Sequence, residues 1–573
     1  MDVTGTARAR IGVVLVTAVL IGSAACSSST PSSAPATTAA PTTAAGGSSG
    51  STTPKLGNNG ATPGAGGAAA ATFEGTPDIV LNDFKPEVNG FGFENYTNKT
   101  APSNLTAEEL KKFWGDQVCA SQADGKCTLT PPAEKWMSEI NDAMGGGHCE
   151  GMAVLALMFI KGQVSLKDFG DASTANGLKL DGNEKLAKEI AYWWAMQATT
   201  PLTSSRLDKL KPSEVAAKLK ESFQPGATDA YTFAFFKTKN GERSGGHAVT
   251  PYGMKDRGDG KVDVAVYDNN FPNQARALSI DTVNEKWSYN TATNPTEPPD
   301  LYEGDATTLS LWLAPIGARL QKQDCPFCGT SSPATAPKFA GAAAGDSDAY
   351  NQLFLSQAAG SAGVEVTITD LDGKPLPGLK ELMTFSGEGI PPVQQIPAGL
   401  SFKVKLDGTD LKEPIATDLT LIGLDVDQYI DGINLDPGQV DTIEFRPKEN
   451  SITYETDSNE SPTIGSGFSD PGADYAVAVG GVDLPEGGKV ELKQDLATGL
   501  ITITNQGKAK GTYAFAIDRI SDTGDDEFVI KGVDIPVGFG IELDYGHWEK
   551  SEQLQGTIVS NGNRTPVTFD NEA

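Results

Sequence analysis

Three short segments gather the residue types that acyl chemistry uses. Gly145-Gly-Gly-His-Cys149-Glu-Gly-Met152 sets a cysteine straight after a glycine loop and at the head of an apolar stretch. Gly246-His247-Ala-Val-Thr-Pro-Tyr252 puts a histidine at the head of one candidate strand, and Val262-Asp-Val-Ala-Val-Tyr-Asp268-Asn269 ends a second in an acid and an amide. The nucleophilic form of cysteine is the thiolate, which the partial positive charge of a helix N-terminus favours. A glycine loop leaves backbone N–H groups free to hold an oxyanion. If the two strands pair as a hairpin, the start of the His247 strand lies beside the Asp268 end of the other. The acid then holds one imidazole nitrogen while the other faces the thiol, which is the nucleophile, base and orienter logic of a catalytic triad.

Blander roles compete with each of these. Cys149 could pack as a small buried hydrophobe. The chain has three histidines. His148 adjoins Cys149 and points to another side, and His547, in Tyr545-Gly-His-Trp548, reads as a surface turn residue. Glu150 reads as a helix-start carboxylate, and Phe271 as packing or a shield over the His–Asp contact. The Asn-x-Thr triplets at Asn95, Asn98 and Asn104 read as chance matches to a glycosylation signal. Asp370-Leu-Asp-Gly373 resembles part of a calcium loop, but its glycine comes too early, and a β-turn accounts for it.

The elements that position these residues change period along the chain. Thr106-Ala-Glu-Glu109 is a capping box opening a helix through Leu110 and Phe113. Helical spacing also marks 133–144, a run from Cys149, 183–197 and 213–223. From Tyr231 the period becomes two, with strands expected at 231–237, 247–255, 261–268 and 309–314 and a turn at Gly258-Asp259-Gly260. Helices first and an antiparallel sheet second is an α+β pattern for residues 76–328. A Ser/Ala/Pro/Gly linker (329–346) follows. After it come short alternating strands of β-sandwich, Ig-like modules, divided near Asn450 into 347–450 and 451–573. Residues 347–573, with His547 as their one histidine and no cysteine, are expected to fold alone and to carry no catalytic constellation.

The order of cysteine at a helix start, histidine on a strand, then Asp or Asn ending the next strand resembles papain-superfamily cysteine peptidases. The Gly-Gly-His-Cys-Glu-Gly-Met and His-Ala-Val-Thr-Pro-Tyr pieces are similar to a group of bacterial exported proteins of that fold. The resemblance covers roughly residues 76–325. It implies Cys149 as nucleophile, His247 as base, and Asp268 as orienter, as the acid is in bacteriocin-processing peptidases, with Asn269 the papain-like alternative. It also implies a protein or peptide substrate and no cofactor. One departure stands out. The family's oxyanion-hole Gln lies five or six residues before the cysteine, where this chain has Ala143 and Met144. Asn141 or the Gly146–Gly147 backbone substitutes, or the hole is incomplete. The Cys-His-Asp order is also that of transglutaminase-like acyl transferases, and a non-catalytic adhesion or scaffold protein is the rival of another class.

The N-terminus reads as a secretory signal. Arg8 and Arg10 precede an apolar run, Ile11 to Gly22, shorter than the roughly 20 residues that span a bilayer. Ser23-Ala24-Ala25 then leads to Cys26, a match that resembles a bacterial lipobox, with Ser23 where Leu is commoner. Residues 1–26 are therefore expected to be a lipoprotein signal. Cys26 would be diacylated and would tether the chain to the outer face of a membrane. Residues 27–75 are a Ser/Thr/Ala/Pro/Gly stalk, too poor in apolar side chains to offset ordering entropy. A net charge of −29 disfavours nucleic acid as a partner. Of the six cysteines, Cys119/Cys127 and Cys325/Cys328 pair by proximity as disulfides in an oxidising compartment. The wrong spacing argues against a four-thiolate zinc site, and no metal is expected. Cys149 is left over, as a nucleophile would be.

Overall fold

The computed structural model describes residues 72–98, 104–122, 125–239, 242–292, 298–328, 350–356, 364–382, 393–423, 426–470, 473–480, 484–521, 523–548 and 552–572. Cys26, the rest of the 1–26 signal, residues 27–71 of the stalk and the 329–346 linker lie outside them. The last residues assigned to the stalk already pack against the domain. Thr72 bridges to Arg276, and Phe73 is already buried in the core.

The helical region forms as its capping signals dictate. Ala107–Trp114 (α1) opens with the capping box, the Glu109 carboxylate taking the Thr106 N–H at 2.9 Å. Pro131–Ala143 (α2) starts two residues before the expected position. Its prolines fill the first turn, where a missing N–H costs nothing. Cys149–Ile160 (α3) is buried on every side from Cys149 to Met158, as befits the central helix of a domain. Glu184–Ala195 (α4) crosses it so closely that a Cβ on Gly151 would stand 2.1 Å from the Ile190 carbonyl. Thr200–Ser205 (α5) and Pro212–Ser222 (α6) complete this region.

The strands are Tyr231–Lys239 (β1), Glu242–Gly258 (β2), Lys261–Tyr267 (β3), Arg276–Asp281 (β4), Lys286–Thr291 (β5), Asp300–Asp305 (β6) and Leu311–Pro315 (β7). They form one antiparallel sheet in the order β7-β1-β2-β3-β4-β5-β6, with Ile79–Val80 added to β2. The β2–β3 turn is a two-residue connection in which Asp259 (φ 52°) and Gly260 (φ 76°) are both left-handed, as a type I′ hairpin requires. The sheet curls until Tyr302 of β6 meets Phe235 of β1 at 5.3 Å and Asp300 pairs with Lys237 at 3.1 Å. A short helix, Ile316–Arg319 (α7), follows β7. Strands β4, β5 and β6 were not anticipated from the sequence.

Cys119–Cys127 and Cys325–Cys328 are disulfides, each with Cα atoms 5.3 Å apart. Phe327, inside the second loop, packs on Trp114 and Trp136 at 5.2 and 6.2 Å and fastens the end of this region to α1 and α2.

Beyond residue 349 every described element is a strand except the single turn Pro447–Glu449. Two nine-stranded antiparallel sheets share one apolar cluster, so this C-terminal region is a β-sandwich. The chain crosses between the sheets in hairpins. Ile415–Ile422 and Asp427–Leu435 lie in one sheet, Val440–Arg446 and Ser451–Thr456 in the other, and Thr463–Asp470 and Ala473–Gly480 in the first again. The division expected near Asn450 falls inside the hairpin joining Val440–Arg446 to Ser451–Thr456. Both sheets run through it unbroken, one carried by that hairpin's ladder and the other by the pairing of Asp427–Leu435 with Thr463–Asp470. The expectation of two separate Ig-like modules is corrected accordingly.

A repeated turn explains the regularity. Pro397–Leu400, Asp436–Gln439, Pro485–Gly488 and Pro536–Phe539 each close a four-residue turn by an N–H to carbonyl bond of 2.7–3.3 Å. The third residue is always a left-handed glycine: Gly399, Gly438, Gly487 and Gly538, with φ from 73° to 92°. That is type II turn geometry, and each turn carries the chain from the first sheet to the second.

The two regions do not merely adjoin. Trp136 Nε1 donates to Gln352 Oε1 at 3.0 Å, Gln352 Nε2 donates to the Ala198 carbonyl at 2.9 Å, and Thr420 Oγ1 donates to Glu139 at 2.6 Å. Phe354, Val393 and Ile422 of the sandwich belong to the core cluster of the N-terminal region. The C-terminal block, expected to fold alone, thus shares part of its apolar surface with the N-terminal core.

Candidate active site

Cys149 is the first residue of α3, which Gly147 and His148 separate from the Met144–Gly146 turn. It is the one cysteine outside a disulfide among the described residues. His247 lies in β2 and Asp268 immediately follows β3, so the β2–β3 hairpin brings acid and imidazole together. His247 Nε2 meets Asp268 Oδ1 at 2.7 Å, with both side chains fully buried. Nδ1, the other ring nitrogen, is buried without a nitrogen or oxygen partner, and Cys149 is the further group that acts on this ring.

The charge state follows from these neighbours. Burial disfavours a charged imidazole, but the Asp268 carboxylate, with a further contribution from Cys149, outweighs it and pushes His247 up to about 10. Burial would likewise raise the Asp268 carboxyl. The imidazolium, the Thr291 hydroxyl and the Arg276 charge instead hold it down at about 2. Asp268 is well tethered for an orienting role. Its Oδ2 accepts from Tyr289 OH and Thr291 Oγ1, each at 2.7 Å, and Oδ1 accepts from the Asn270 N–H at 2.9 Å. Tyr289 and Thr291 come from β5, which the sequence reading missed. The alternation Trp287, Tyr289, Thr291 was the available signal. Phe271 lies over the Arg276 guanidinium at 4.0 Å, which is a packing role.

Asn269, the alternative orienter, does not reach His247. Its Nδ2 donates to the Cys149 carbonyl at 2.9 Å and to the Ala248 carbonyl at 3.1 Å, stapling the start of α3 to β2. Both oxyanion candidates are also engaged elsewhere. Asn141 forms a closed pair with the Leu105 backbone, Oδ1 accepting at 3.0 Å and Nδ2 donating at 3.1 Å. The Gly147 N–H bonds to the Met144 carbonyl at 3.0 Å.

His148 is no second base. Its ring stacks on Tyr96 at 4.1 Å, with Nδ1 at 2.8 Å from the Tyr96 carbonyl and Nε2 at 2.8 Å from Asn104 Oδ1. Burial lowers it to about 4, so it is neutral. The asparagines of the three Asn-x-Thr triplets build this surround. Asn104 donates to Asn98, Asn98 donates to the Asn141 carbonyl, and Asn95 Oδ1 accepts the His148 N–H at 2.8 Å. Glu150 is fully buried, paired with Arg319 and accepting from Thr232 Oγ1 at 2.7 Å, which anchors α3 from behind. His547 is an exposed turn residue bonded to Asp544.

The thiol itself is enclosed. Cys149 is 1% exposed and clusters with Leu202 of α5, Phe236, Trp312 and small alanines from β1, β2, β7 and α7. Among the described residues no group of three His, Cys, Asp or Glu side chains is arranged to hold a metal ion, and no single helix is long and apolar enough to cross a membrane. No protein-family model, curated protein or solved structure matches the chain.

Proposed function

We propose that this chain is a surface-tethered thiol hydrolase, a papain-like cysteine peptidase domain followed by a β-sandwich, anchored through a lipidated Cys26. The observation that carries the reading is the fully buried His247–Asp268 pair, 2.7 Å apart, with Cys149 at the head of the buried helix acting on the same imidazole. Cys149 gives its proton to His247 and attacks a peptide carbonyl. The imidazolium returns that proton to the leaving amine, and water releases the acyl group by the reverse sequence. Asp268, ionised throughout, holds Nε2 and leaves Nδ1 for the sulfur. The lipid anchor and extracytoplasmic placement rest on the residues up to Cys26, and the paired Cys119–Cys127 and Cys325–Cys328 suit an oxidising compartment.

Enclosure of Cys149 favours a second reading, a scaffold or adhesion protein whose thiol site is sealed. Turnover on a mixed peptide library separates the two. A hydrolase cleaves and loses cleavage on Cys149→Ala, whereas a scaffold cleaves nothing in either form.

A further inference from the structure

The Asn95 side chain is placed with one end fixed and the other idle. Oδ1 accepts the His148 N–H at 2.8 Å and the Tyr96 N–H at 3.0 Å, so the amide cannot be turned over without losing two bonds. Nδ2 is thereby the outer end. It is buried without a hydrogen-bond partner, in a residue 5% exposed. Orphaned buried donors are rare in native proteins, because each forfeits its bond to water. This one faces the backbone before the nucleophile, since a Cβ on Gly147 would lie 2.9 Å from Nδ2. Gly147 has φ 137°, so a side chain there is excluded by both strain and space, and the amide keeps its access. The Asn95 N–H bonds to the Asn269 carbonyl at 2.8 Å, and Asn269 in turn holds the Cys149 carbonyl. Donor and nucleophile are thus fixed to one frame.

We infer that Asn95 Nδ2 is the side-chain donor of the oxyanion hole, supplied by the segment before α1 and not by the residues just upstream of the cysteine. The inference rests on the reading of Cys149 as nucleophile. In acylation the Cys149 thiolate forms a bond to the substrate carbonyl carbon, and the C=O π pair moves to oxygen. Asn95 Nδ2–H donates to that oxygen. Collapse restores the C=O bond, expels the leaving group with its electron pair and leaves a Cys149 thioester.

The test compares two reactions of the same thiol in the full chain. p-Nitrophenyl acetate acylates through an oxyanion, whereas iodoacetamide alkylates by displacement of iodide with no oxyanion. Both small probes meet the same enclosure, so the ratio of rates isolates the donor. Asn95→Ala removes the donor. Asn95→Asp keeps the Oδ1 acceptor for the His148 and Tyr96 N–H groups and so guards against simple misfolding. Both should slow the p-nitrophenolate burst by about 10²–10³ and leave the plateau alkylation rate within about threefold. An unchanged burst, or a fall of both reactions together, would overturn the donor assignment. Wild-type protein that alkylates quickly but is not acylated overturns the donor alone. Wild-type protein inert to both overturns the nucleophile reading as well.

Discussion

Asn269 Nδ2 holds the Cys149 carbonyl at 2.9 Å, while its sequence neighbour Asp268 holds the imidazole at 2.7 Å. Adjacent residues therefore serve separate ends of the site, one fixing the helix that bears Cys149 and the other fixing the His247 ring. Their substitutions should separate. Asp268→Asn should lower hydrolysis by about 10²–10⁴, because it removes the charge that sets the tautomer. Asn269→Ala removes the side-chain bonds to two buried carbonyls and should cost about 1–3 kcal/mol of stability, read by denaturant melts. Equal rate and stability effects from both changes would count against this division.

The His247–Asp268 pair should also shape stability against pH. The raised imidazole contributes fully below its unfolded value of 6.5, and that contribution is lost as pH rises through about 10. The lowered carboxyl contributes above 3.8, and that contribution is lost as pH falls through about 2. The stability difference between wild type and His247→Gln should therefore be largest between those unfolded values and shrink on either side. Denaturant titrations across the range check this, and a flat difference would contradict it.

At the contact between α2 and the sandwich the sign is reversed. Burial pushes Asp427 up to about 7, against the pull of Lys135, with Asp431, Glu139 and Glu134 adding to the rise. A carboxyl raised in the folded state costs stability as pH climbs from its unfolded value of 3.8 through about 7. Asp427→Asn should then stabilise the protein at pH 8 by roughly 1–3 kcal/mol, with the gain vanishing near pH 4. A gain that persists at pH 4 would point to packing and not to charge.

The two regions should also depend on each other. Trp136→Phe loses the bond to Gln352 and should destabilise by about 1–3 kcal/mol. A fragment ending at residue 328 uncovers Trp136 and Glu139 and should melt below the full chain. Equal midpoints would show that the shared core adds nothing.

The thiol, the imidazole and the acid were legible because local signals carry them: a glycine loop before an apolar helix, and two alternating strands around a two-residue turn. What escaped reading is what contacts over distance decide. Asn95 lies more than fifty positions before Cys149, in a segment without periodicity, and only the fold turns its amide toward Gly147. Tyr289 and Thr291 sit in a strand so short that its alternation spans three residues. Asn141 looked suitable by spacing alone, yet the Leu105 backbone claims both ends of its amide. In the sandwich, short alternating strands were visible, but they alone do not say that successive hairpins alternate between two continuous sheets.

The most direct measurement is the rate at which Cys149 in the native full chain reacts with iodoacetamide near pH 6, read by mapping its peptide. A thiol activated by His247 should react at least about tenfold faster than free cysteine, whose thiolate is scarce at that pH because its pKa is about 8.5. The advantage should disappear in His247→Ala. A Cys149 that stays unlabelled until the protein is unfolded would contradict the enzymatic account.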